Sequence, residues 1–351
     1  MKYNNIKLIK ELNEIIKNDE LFERFEFSFH CFDYNKGDKY FGEMKNNLKH
    51  GKGTMYYNDG EIYIGDWKND LKEGKGITYY EDGDVYKGDF KNNKKEGEGI
   101  YYSNNGDRYE GTFKNNLAEG KGIYYFNNGE KYEGDFKNDK SEGKGKMFYK
   151  DGNIYNGDWK NGLKEGKEII YFRDGRLFQG DFKNNYANGE GKMHHPNGDI
   201  YEDIYKDDIP EERGIMHYRN GDKYQGFWKN SVKEGKGILY YNNGDIYNGD
   251  WKNGLKEGKE IFYYHNGNIY NGDWKNGLKE GKWIFYCDDG DKYEGDFKND
   301  SLEGKGIYYW INGDKYEGNF KNGVREGIGI YYYRDGRKEL GYYINDRCIG
   351  H

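Results

Sequence analysis

The chain has 351 residues, a formal charge of -7 from 56 basic and 63 acidic side chains, and a mean hydropathy of -1.26. The two signs are interspersed without a long run of either, which excludes the basic stripe expected of a nucleic-acid binder. Phe, Trp and Tyr make up 19% of the residues, too many for a disordered chain of this polarity, so rings take the core positions that Leu and Val hold elsewhere.

Over residues 5–24, Ile6, Ile9, Leu12, Ile16 and Leu21 fall near helical spacing, and Asn4 or Asn5 can cap the start. One short amphipathic helix is predicted. Phe25, Phe27 and Phe29 then alternate as in a strand. Residues 1–36 are expected to cap the first open sheet edge, a docking helix for a partner being the alternative. Charges break every apolar stretch here, so neither a signal peptide nor a membrane span is expected. Cys31, Cys287 and Cys348 are too scattered for a disulfide framework. A cytoplasmic location is the expectation.

Fourteen glycines then recur every 23 residues from Gly37 to Gly336 without an insertion, the mark of one structural unit repeated in register. Three residues after thirteen of these glycines stands an aromatic, from Tyr40, Tyr63 and Tyr86 through Phe178 and Tyr201 to Tyr316; a glycine such as Gly65 follows at plus five, and a ring such as Trp67 or Phe90 at plus seven. Tyr63, Gly65 and Trp67 share one strand face by alternation. A turn is predicted over 72–76, then a second strand over 77–80 that closes at Asp82 and Gly83, since Asn-Gly and Asp-Gly pairs favour the positive φ of hairpin turns. The unit is thus two antiparallel strands, and the array is an all-β, elongated, twisted solenoid of hairpins. Gly65 and its equivalents, placed between two rings, leave room for a ring or a neighbouring backbone. The last glycine of the recurring Glu-Gly-Lys-Gly stretch is replaced by Glu168, Glu260 and Trp283 in three repeats, where local differences are expected.

Seven repeats fill residues 37–200. The eighth, residues 201–223, diverges: Asp203 and Glu212 replace glycines, Pro210 sits nearby, and acids crowd the stretch. Its expected role is a joint, or a drifted repeat still stacked through Tyr201 and Tyr205. Residues 224–351 hold six further repeats, the last degenerate, with Glu339 in the tyrosine place, as suits a polar end cap.

The pattern Tyr-x-Gly-x-Trp/Phe-Lys-Asn followed by Glu-Gly-Lys-Gly, as in Tyr132, Gly134, Phe136, Lys137, Asn138 and Glu142 to Gly145, resembles the MORN repeat (membrane occupation and recognition nexus) over about residues 37–350. The resemblance implies a hairpin solenoid used as a scaffold or protein-binding surface, often at cytoskeletal or membrane-apposed structures. It also carries the proposal of phosphoinositide binding made for some members. Family repeats occur fused to kinase or methyltransferase domains, and no such domain is expected within these residues, which the array nearly fills.

Two rows of side chains are candidate contacts. Trp159, Trp228, Trp251 and Trp274 mark the rings at which a partner groove is expected. Lys160, Lys229, Lys252 and Lys275 belong to the thirteen lysines from Lys45 to Lys321 that follow the second ring, an alternative contact for acidic phospholipid headgroups. Asp158 stands two residues before Lys160, as Asp66 does before Lys68, so the ladder is expected to be largely self-neutralised. Residues 155–167, 247–259 and 270–282 are identical and suit modular contact. His194, His195 and His217 fall on different strands or faces, so no metal site is expected. Acid pairs such as Glu81 and Asp82 fall in turns, and no strand-to-helix phosphate loop is present. No cofactor and no enzyme activity are expected. The reading is a non-enzymatic scaffold that binds a protein partner along a groove, with self-association through an open edge strand a further expectation. A peripheral phosphoinositide adaptor is the alternative.

Overall fold

The computed structural model describes residues 30–33 and 37–350. The helix predicted over 5–24 and the alternation of Phe25, Phe27 and Phe29 lie outside the described residues. Among the described residues all regular structure is antiparallel β. The chain divides into two compact units, Met1–Ser141 and Glu142–His351, and the described residues of both are built from one kind of hairpin.

In the repeat around Tyr63, the strands Ile62–Lys68 and Leu71–Tyr79 are joined by Asn69 and Asp70 alone. Both joining residues have positive φ, 51° and 68°. A two-residue turn of this kind matches the twist of its strands, and Asn, Asp and Gly tolerate its backbone. The other connection, Tyr80 to Asp84, is a short loop in which the Tyr80 N–H donates to Asp84 O at 2.9 Å and the Gly83 N–H to Tyr80 O at 3.1 Å.

The turn predicted over 72–76 is therefore corrected. These residues run inside the strand Leu71–Tyr79, and what they form is a bulge. Gly65 pairs with Gly76 and Trp67 with Lys72, which leaves Asp66 alone opposite Glu73, Gly74 and Lys75. Gly74 takes φ 63° to absorb the extra residues. On its other side the same stretch pairs regularly with Val85–Lys91, Gly74 facing Phe90 and Gly76 facing Gly88.

Alternation sends Tyr63, Gly65 and Trp67 to one face with Gly76 and Thr78, and Ile64 and Asp66 to the other with Lys75, Ile77 and Tyr79. The first face carries the core. Tyr63 meets Trp67 of its own repeat and Phe90 of the next, each at 5.0 Å and edge to face, and Tyr86 repeats this with Phe90 and Phe113. Such T-shaped pairs set the positive ring edge against the negative ring face. In the second unit Tyr224, Tyr247, Tyr270, Tyr293 and Tyr316 play the same part, with Trp251, Trp274, Phe297 and Phe320 between them. Where both glycines are kept, the tyrosine ring lies on the pair: a methyl at Gly76 would stand 2.5 Å from the Tyr63 hydroxyl. That hydroxyl donates to Asp66 O at 2.9 Å.

The polar part of the repeat clamps neighbouring hairpins. Asp70 Oδ1 accepts the Lys49 N–H at 2.8 Å, Glu73 accepts the Asn92 N–H at 3.1 Å, and Asp84 Oδ1 accepts the Asn104 N–H at 2.8 Å. Equivalent bonds recur in the second unit, as from Asn253 N–H to Glu234 and from Asn242 N–H to Asp222. The turn backbone is thereby satisfied by side chains one repeat away.

The three replaced glycines do change their surroundings, on strands rather than in turns. Glu168 and Glu260 stand over Gly157 and Gly249, and the pairing at those positions is lost. Trp283 enters the ladder 4.4 Å from Tyr270 and opens the Tyr270–Phe297 contact to 6.4 Å. In the eighth repeat the second strand is split into Ile209–Pro210 and Arg213–His217. Tyr205 packs on Phe178 at 4.9 Å and Tyr201 on Trp228 at 5.6 Å, so this repeat stacks on both neighbours inside the second unit.

Candidate functional site

The four tryptophans singled out in the sequence are rungs of the ladder. Trp159, Trp251 and Trp274 are 9%, 5% and 5% exposed, and Trp228 is partly buried. The indole N–H groups of Trp159, Trp228 and Trp251 donate to Gly145 O, Gly214 O and Gly237 O at 3.2 to 3.3 Å. A partner lying along the sheet would meet little of these rings.

The ladder face also takes up lysines that sequence reasoning assigned to a turn. Lys256 Nζ lies 4.4 Å from the Trp274 ring, 4.7 Å from Phe262, 5.1 Å from Tyr247 and 5.3 Å from Tyr241. Burial, helped by Lys279, lowers its pKa to about 8. Lys72, Lys95, Lys164 and Lys233 sit in equivalent cages. The signal was a lysine directly opposite the second ring across a two-residue turn, as Lys72 is opposite Trp67.

In the second unit the opposite face is open. Ile238, Ile261, Ile284 and Ile307 lie along it in the second unit, each two residues before a tyrosine. Of these, Tyr240, Tyr263 and Tyr286 are 36%, 39% and 44% exposed. Toward the C-terminal end Ile284, Ile307, Ile330 and Leu340 line a depression of about 890 Å³ whose walls include Lys282, Glu294, Lys305 and Glu317.

Lys160, Lys229, Lys252 and Lys275 end their strands at the two-residue turns and are all exposed. The expectation that the preceding acids neutralise them is corrected. Asp158 pairs with Lys144 at 2.7 Å, Asp250 with Lys236 at 3.2 Å and Asp66 with Lys52 at 2.5 Å. Direct cross-strand neighbours stand closer than residues two apart on one strand, and Lys144 is the register partner of Asp158. Beside the lysine row Leu163, Val232, Leu255 and Leu278 are 36 to 47% exposed. Glu142, Glu234 and Glu257 reach the same turns and accept the N–H groups of Asn161, Asn253 and Asn276, so the charge of this edge is mixed.

The MORN repeat family model matches thirteen consecutive stretches, beginning at residues 40–62, 63–85 and 86–108 and ending at 293–315 and 316–336. The chain belongs to the MORN-repeat family. In most of these MORN repeats the tyrosine, the paired glycines and the second ring build the ladder, the lysine ends the strand, and the asparagine with the residue after it forms the turn. The eighth match is shortened to residues 204–223, leaving out Tyr201 to Asp203, where an acid replaces the inter-ring glycine. A search of the curated proteins found no match. Among solved structures, the TCP10 domain of Danio rerio CPAP in complex with a STIL peptide is 13% identical, covers 60% of this chain and 93% of its own, and superposes with a TM-score of 0.40. The Drosophila melanogaster SAS-4 TCP domain with a proline-rich motif of Ana2 is 17% identical, covers 57% and 90%, and scores 0.28. A streptogramin B lyase covers 82% and 89% at 16% identity and scores 0.14. Superpositions this loose leave the repeat match to carry the assignment.

Proposed function

We propose that this MORN-repeat protein is a non-catalytic scaffold that holds a protein partner along the open face of its hairpins, in the cytoplasm at a cytoskeletal or membrane-apposed structure. The contrast between the two faces supports this reading. One face is closed by the ring ladder, whereas the other repeats an isoleucine and a half-exposed tyrosine at the spacing of the hairpins, with charged side chains on either side. A row of apolar and amphipathic side chains with a charged rim suits an extended peptide or helix. Further copies of the chain are among the partners such a face accepts. The test is affinity capture from native lysate with the wild type and with an Ile284→Asp, Ile307→Asp double variant. Proteins held by the wild type should be lost from the variant while its melting temperature stays within a few degrees. Unchanged capture would retire the open face as the binding surface.

The lysine edge favours a second reading, a peripheral adaptor on acidic phospholipid. Lys229, Lys252 and Lys275 are exposed beside Val232, Leu255 and Leu278, so charge and apolar side chains reach the same edge. Near an anionic surface each basic residue contributes about 1 kcal/mol. Changing all three lysines to Gln should therefore weaken cosedimentation with phosphatidylinositol bisphosphate vesicles roughly a hundredfold, and added salt should do the same to the wild type. If the wild type ignores these vesicles, this reading fails and the open-face reading stands.

A further inference from the structure

Lysines plug the ladder face in most repeats, and in the first unit the plug is missing at Ala118 and Ser141, of which only Ala118 keeps all the caging rings. Lys95 Nζ lies 4.4 Å from the Tyr101 ring, 5.4 Å from Phe113 and 5.5 Å from Tyr86. One repeat on, the residue equivalent to Lys95 is Ala118, while the rings equivalent to all three are kept as Tyr109, Tyr124 and Phe136. Together with Ala118 these rings line a cavity of about 310 Å³. Two carboxylates, Asp107 and Asp139, share the wall with Arg108, whose guanidinium is engaged by Glu110 and the Tyr125 ring. Tyr124 donates its hydroxyl to Asp107 Oδ2 at 2.9 Å, and Asp139 Oδ1 accepts the Ala118 N–H at 2.7 Å. Both acids are thus held in place around the rings.

We infer that the cage at Ala118 receives the alkylammonium side chain of a lysine from a partner protein. The protein supplies its own precedent, because Lys72, Lys95, Lys164, Lys233 and Lys256 show that rings in this arrangement hold a primary ammonium at cation–π distance. Lys95 also borders the cavity, and this neighbour does not forbid a second cation: Lys233, Lys256 and Lys279 occupy consecutive cages in the second unit. At the other repeat carrying Ala in this place, Ala187, the ring equivalent to Tyr124 is Met193, so that cage is incomplete. The inference rests on the protein-binding reading but concerns the ladder face, opposite the isoleucine row.

The full chain is titrated with n-butylammonium chloride, which carries the lysine side chain alone, against sodium chloride at equal ionic strength, with binding followed by saturation-transfer NMR. N-acetyl-lysine N-methylamide is the second probe. Both should bind the wild type, and Ala118→Lys should weaken them at least about tenfold by placing the protein's own ammonium in the cage. Tyr124→Leu should weaken them several-fold, whereas Ala187→Lys should leave them unchanged. If Ala118→Lys does not fold, Tyr124→Leu decides. Equal saturation of wild type and Tyr124→Leu, or none of the wild type, overturns the cage. Because no partner protein enters the titration, that failure leaves the open-face reading intact.

Discussion

Replacing Tyr86 by Ala is expected to destabilise the first unit by about 3 to 5 kcal/mol, the usual cost of truncating a buried aromatic. The ring is 0% exposed, makes edge-to-face contacts at 5.1 and 5.0 Å, and covers the Gly88–Gly99 pair. Its loss opens a void over two residues that have no side chains of their own to collapse into it. Tyr86→Phe keeps both ring contacts and removes only the hydrogen bond to Asp89 O at 3.0 Å, so it should cost about 1 kcal/mol. Repeats of this kind contact only their neighbours. A broken rung should therefore broaden or split the urea transition as well as shift it. A Tyr86→Ala cost below that of Tyr86→Phe would mean that the ladder is not what couples the hairpins.

The ladder was legible because its signal is chemical and periodic: Tyr63, Gly65 and Trp67 alternate on one strand, and no other arrangement of that strand hides both rings. The turn was misplaced for an equally physical reason. Glu73, Gly74, Lys75 and Gly76 have a loop's composition, yet Gly74 serves a bulge and Gly76 lies under the Tyr63 ring. The actual turn, Asn69 and Asp70, is only two residues long and resembles the Asp82–Gly83 stretch of the other connection. From that error followed two more. With Lys72 assigned to a turn, its place over Tyr63 and Phe90 was hidden. With the strands offset, Asp158 was set against Lys160 on its own strand instead of against Lys144 across the ladder.

Stability is expected to rise modestly from about pH 8 to pH 10 and then to fall steeply. The rise comes from the caged lysines. Burial depresses Lys256 to about 8, and burial likewise lowers Lys95, Lys164 and Lys233. Between the folded and unfolded values, the unfolded chain binds more protons than the fold, so stability increases with pH through that window. Above pH 10 the tyrosines reverse the sign. Burial holds the phenols of Tyr63, Tyr86, Tyr155, Tyr224, Tyr247 and Tyr270 well above their ordinary value, whereas in the unfolded chain they lose protons near pH 10. The fold then binds more protons, and each tyrosine that stays neutral adds about 1.4 kcal/mol per pH unit to the fall. Urea titrations at pH 7 to 11 and constant ionic strength would show both limbs. Lys256→Met should flatten the rise and leave the fall in place, because it removes one desolvated charge and no ring. A flat profile between pH 10 and 11 would mean that the ladder phenols ionise within the fold, which the full burial of these rings does not permit.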